Sequence, residues 1–70
     1  MAKKKLLEDV KARPARFYRA PGDVMRDRRF DDPERLAILE AWDAQGDPEL
    51  AARIGEAIEE ARRRLELTAE

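Results

Sequence analysis

From residue 32 to residue 67 the apolar side chains recur at steps of three and four, the spacing of helices with one buried face. Leu36, Ile38, Leu39 and Trp42 share an arc of roughly 160° when residues are set about 100° apart, wide enough to face a core. Leu50, Ile54, Ala57, Ile58, Ala61 and Leu65 hold a narrower arc of roughly 120°. The pattern predicts a first helix from Pro33 to Gln45 and a second from Pro48 to about Leu67, folded back as an antiparallel hairpin over 32–67. The polar punctuation agrees. Asp32-Pro33-Glu34 and Asp47-Pro48-Glu49 each offer an Asp N-cap, a Pro at the first helical position and a Glu beside the positive end of the helix dipole. Gly46 falls where the first helix should stop in a left-handed conformation.

The N-terminal part is less regular. Leu6, Leu7 and Val10 form a narrow apolar stripe, which predicts a short helix from Lys3 to Ala12. Arg13 precedes Pro14 and is biased away from helical dihedrals, so the helix ends there. About ten residues alone are marginal in water, so residues 1–12 either dock or fray. Arg13 to Gly22 reads as a Pro-rich irregular crossing, with Phe17 capping the open end of the hairpin and Tyr18 pointing the opposite way. Asp23 caps a turn over Val24 to Arg28 with Val24 and Met25 inward, and Phe30 staples back onto Leu36. The fold class is therefore all-α: a small three-helix arrangement in a single domain, 1–70.

Two details of the second helix carry expectations. It is the longer of the pair, so Ala61 and Leu65 need a cover, either the N-terminal helix with Phe17 and Tyr18 or a second copy of the chain. Gly55 implies a close helix–helix approach, since glycine otherwise costs about 1 kcal/mol in a helix interior. Glu49/Arg53, Glu59/Arg63 and Glu60/Arg64 are spaced to pair along its outer face.

One stretch resembles a known group. Pro21-x-Asp23-Val24-x-x-Asp27-x-x-Phe30, followed by Leu36-x-Ile38-Leu39-x-x-Trp42 and Asp43-Ala44, is similar to short bacterial proteins of unassigned function that carry a P-x-D-V-x-x-D and I-L-x-x-W pattern. The likeness runs from Pro21 to Ala44, under half the chain. It implies a small helical protein and no particular activity, substrate or binding residue.

Composition narrows the chemistry. Of the 43% hydrophobic residues many are Ala, so the large apolar side chains are few for a chain of 70 residues. There is no Cys and no His, hence no disulfide and no zinc site to staple a small core, and oligomerisation is the staple left. Ser and Asn are absent too, and the only Thr is Thr68. Nucleophilic and His-based acid–base catalysis therefore lack candidates, so the expectation is a non-enzyme with no cofactor and no metal. No apolar run approaches the ~20 residues that span a bilayer, and only Leu6-Leu7 follows the basic start, so a cytoplasmic protein is expected.

The net charge of −1 hides a division. Residues 1–30 carry ten Lys or Arg against four acids, giving +6, and residues 31–70 carry five Arg against twelve acids, giving −7. The halves are expected to neutralise each other, within one chain or across a dimer. Function then reads as a non-enzymatic interaction or accessory module, its partner a protein or the chain itself, with Arg13, Arg16, Tyr18 and Arg19 as candidate contacts. The alternative from another class is a nucleic-acid-binding or antitoxin-like regulator using the basic half, although no recognition-helix or zinc-finger motif accompanies it.

Overall fold

The two prolines that bracket the basic crossing turn out to start helices. A proline in the first turn loses no needed hydrogen bond, and its fixed φ suits the helix. In the computed structural model, which describes residues 2–68, Pro14 opens α2 (Pro14–Phe17) and Pro21 opens α3 (Pro21–Arg26). The irregular crossing is thus corrected to two short helices, and the turn read as Val24 to Arg28 starts three residues earlier. Before them lies α1 (Ala2–Ala12), and after them α4 (Asp32–Ala44) and α5 (Ala51–Thr68). Helix makes up most of the described residues, with no strand among them, so the fold is all-α. Met1 lies outside the described residues.

Both ends of α4 follow local chemistry. The N-cap is Asp31 rather than Asp32: its Oδ1 accepts from the Glu34 amide at 3.0 Å, while Glu34 Oε1 accepts from the Asp31 amide at 2.9 Å. A reciprocal capping box needs its Glu three residues after the cap, and only Asp31 satisfies that. At the other end Gly46 takes φ +74, the left-handed stop expected of it. The second hairpin helix starts later than its proline. Asp47 Oδ1 accepts from the Glu49 amide at 3.1 Å and its carbonyl from Leu50 at 3.2 Å, so a single tight turn over 48–50 leads into α5.

Packing is organised around α4, which touches every other helix, whereas α1 and α5 do not touch each other. Its face supplies Ile38, Leu39 and Trp42, all essentially without exposure. Val10 of α1, Val24 and Met25 of α3, Phe30, and Ile54, Ala57 and Ala61 of α5 close the same cluster, with Leu36 partly buried against it. The body measures 34 × 32 × 18 Å, about two helix layers thick. Within the chain α3, not α1, packs along α5, and Ala61 is fully buried. Among the described residues no helix is long and apolar enough to cross a membrane.

Docking, rather than fraying, is the outcome for α1. Val10 is fully buried, and the Gln45 side chain donates to the Ala12 carbonyl at 2.8 Å and more weakly to that of Lys11 at 3.4 Å. Those carbonyls end a helix and would otherwise lack a protein partner. Gln45 thus ties the end of α1 to the end of α4.

Gly55 is not at a close approach: a Cβ built there meets nothing within 4 Å. Gly55→Ala should therefore stabilise the chain by about 1 kcal/mol, raising Tm by roughly 4–8 °C. A thermal melt followed by circular dichroism checks this, and an unchanged or lowered Tm would mean that the backbone at Gly55 needs its glycine.

Candidate functional site

The two aromatics of the crossing have exchanged the places expected of them. Tyr18, proposed above as a contact, is the buried one at 7% exposure, and Phe17, expected to cap the hairpin, is 42% exposed. The cause is local. Pro14 turns residues 14–17 into one helical turn, with Phe17 as its last residue, and Tyr18 follows in extended backbone as the C-cap. Tyr18 then stacks on Trp42 with ring centroids 6.4 Å apart and planes 29° from parallel.

Its hydroxyl donates to Asp27 Oδ2 at 2.7 Å. Asp27 is the hub of a small polar network. Arg29 donates to the same carboxylate from its backbone amide at 2.9 Å, from Nε at 3.0 Å and from Nη2 at 2.8 Å. Arg35 donates to the Asp27 carbonyl from Nη2 at 2.9 Å and to Asp32 Oδ1 from Nη1 at 2.8 Å, linking the end of α3 to the start of α4. The Arg29 bonds hold the Asp27 carboxyl well below the usual carboxylate range, against the opposing effect of burial. Burial, reinforced by the hydrogen bond to Asp27, pushes the Tyr18 phenol up. The Asp27 hydrogen bond likewise raises Arg29. No buried side-chain polar atom among the described residues lacks a partner, so this network is closed and structural.

Arg13, Arg16 and Phe17 are brought together. With Asp9 and Ala12 they line a groove of about 540 Å³ where α1 turns into α2. All five are exposed, and neither guanidinium has an ion-pair partner among the described residues. Arg19 is exposed but lies outside this groove. A second groove of about 390 Å³ runs between α3 and α5, past Gly22, Arg26, Arg53, Glu56 and Glu60 over a floor of Met25 and Ala57. Its rim mixes both signs of charge, and so selects for no simple ligand.

Six ion pairs among the described residues each join two residues of the same half. Lys11–Glu8, Arg26–Asp23 and Arg29–Asp27 belong to the basic half, and Arg35–Asp32, Arg62–Glu40 and Arg64–Glu60 to the acidic one. Of the three spaced pairs, Glu60–Arg64 alone closes among the described residues, at 2.8 Å, and Glu49 lies in the turn before α5. Among the described residues no group of three or more Asp, Glu, His or Cys is placed to hold a metal ion.

The contacts named from the sequence did not include Phe17, read there as the cap of the hairpin, or Asp9. Pro14 was the available signal: read as a helix start, it places Phe17 at the end of a turn instead of in an extended strand. Compared with protein-family models, with curated proteins and with solved structures, the chain matches none.

Proposed function

We propose that this chain is a non-enzymatic interaction module, acting in the bacterial cytoplasm, that takes a protein partner at the corner between α1 and α2. One observation carries the reading: Phe17 stands 42% exposed in a groove that Arg13 and Arg16 also line, neither of them ion-paired among the described residues. A large aromatic flanked by arginines is the composition of an interface anchor, because the ring supplies apolar area and the guanidinium groups supply direction. The bacterial setting follows from the resemblance in Pro21 to Ala44.

The same three residues would suit a nucleic acid, where bases stack on an aromatic beside Arg. Asp9 in the groove and the acids next to it weigh against phosphate. The exposed Asp43 and Glu49 flank Gln45, whose side chain is bonded to Ala12 at 2.8 Å. A strand laid along the corner would meet them.

A photo-crosslinking amino acid in place of Phe17 tests the proposal in cells. Crosslinks to polypeptide are expected, and they should disappear when Arg13→Glu and Arg16→Glu are added. Labelled oligonucleotides should bind no more tightly than ~10 μM at physiological salt. Submicromolar, steeply salt-dependent binding, or a Phe17 probe that crosslinks only nucleic acid, would replace the module with the regulator.

A further inference from the structure

We infer that the partner at this corner is a second copy of the chain, bound across a two-fold axis. The inference rests on the corner being an interaction surface and names what occupies it.

The argument starts from a gap in the charge pattern. Between residues 36 and 52 there is no Lys or Arg, while Glu40, Asp43, Asp47 and Glu49 are all acidic. This stretch runs from the middle of α4 through the link to the start of α5, and its last part, 43–50, is the tip of the hairpin. The Gln45–Ala12 hydrogen bond pins that acidic tip beside the end of α1, one residue before Arg13. The chain thus presents two patches of opposite sign, linked through the Gln45–Ala12 hydrogen bond. Arg13 and Arg16 form one, Asp43 and Glu49 the other, and none of these four side chains has an ion-pair partner among the described residues. Asp47 is committed to the turn, its Oδ1 accepting from the Glu49 amide at 3.1 Å.

Two patches of opposite charge on one chain are self-complementary under a two-fold rotation. The basic corner of one copy meets the acidic tip of the other, and the same contact is made a second time. An acidic ligand from elsewhere would satisfy the arginines and still leave the tip unanswered. A second copy satisfies both at once. Phe17, 42% exposed in the basic corner, is covered by the same contact.

Sedimentation equilibrium of the purified chain at low salt and at about 0.5 M tests this. A monomer–dimer equilibrium is expected, weakened about tenfold or more by the added salt. The decisive step uses two charge-reversed variants, Arg13→Glu/Arg16→Glu and Asp43→Lys/Glu49→Lys. The first makes both patches acidic and the second makes both basic, so each alone should be monomeric. Mixed, they should associate with each other, with affinity within about tenfold of the parent. All four positions are exposed, and far-UV circular dichroism of each variant verifies that it is folded. Should either reversal unfold the chain, Arg16→Glu mixed with Glu49→Lys poses the same question with single changes. A parent that stays monomeric to about 1 mM, or a mixture that does not associate, overturns the inference. The Phe17 crosslinker then separates the two failures: crosslinks to a different polypeptide keep the corner as a site with another occupant, and no polypeptide crosslinks at all remove both.

Discussion

Trp42→Ala is expected to leave the chain without a cooperative fold. Trp42 is the largest side chain in the cluster, 1% exposed, on the face of the one helix that every other helix touches. Removing a fully buried Trp costs about 3–5 kcal/mol, the transfer term plus the cavity left behind. A helical chain of this length with no Cys for a disulfide has about 3–5 kcal/mol in total. The two are equal, so the variant sits at or below its midpoint. The loss also removes the stacking partner of Tyr18, and with it the packing that positions the phenol against Asp27. Urea unfolding followed at 222 nm checks this without needing tryptophan fluorescence. In the parent, Trp42 emission should be short in wavelength and resist iodide. A variant with an unshifted urea midpoint, or a red-shifted and readily quenched parent, would place Trp42 outside the core.

Asp27→Ala is expected to be the most damaging polar substitution, at about 2–3 kcal/mol. It strips the acceptor from the buried Tyr18 hydroxyl, and an unsatisfied buried donor costs about 1–3 kcal/mol. It also ends the bidentate bond to Arg29, but that guanidinium is 55% exposed, so water recovers much of what is lost there. Tyr18→Phe removes only the neutral partner and should cost about 1 kcal/mol. Asp27→Asn keeps an acceptor and loses the charge, and so should fall between them.

The same network gives stability a pH dependence of definite sign. Asp27 is held low in the folded state, so its contribution is complete above the unfolded aspartate value near 3.9 and drains away as pH falls toward the depressed folded value. Tyr18 is held high. Its contribution is complete below the unfolded phenol value near 10 and is lost as pH rises beyond it. The urea midpoint should therefore be flat through neutrality and fall at both ends. Asp27→Asn should flatten the acid limb, and Tyr18→Phe the alkaline one. An acid limb unchanged in Asp27→Asn would assign it to the other carboxylates.

The capping chemistry shows how far local reading reaches. Gly46 takes its left-handed stop because no other residue does so without strain, and that follows from one position in the chain. The cap at Asp31 was equally local, since the box with Glu34 is written three residues apart. Asp32 competed for it only because it stands next to a proline. Pro14 and Pro21 carried two meanings, breaker and starter, and the choice between them depended on whether the turns they open could dock.

Helical character, the hairpin, and the burial of Ile38, Leu39, Trp42 and Ile54 were determined by the sequence alone, because periodicity and caps act within a turn or two of chain. What covers α5, the exchange of Phe17 for Tyr18 at the surface, the Gln45 bond to the end of α1 and the hub at Asp27 were decided by tertiary structure. Each joins residues eight to thirty-four positions apart or in different helices, where spacing along the chain carries no information about approach in space. The site belongs to the second kind: Arg13, Arg16 and Phe17 are neighbours in sequence, but the acidic tip beside them arrives only when α1 docks against α4.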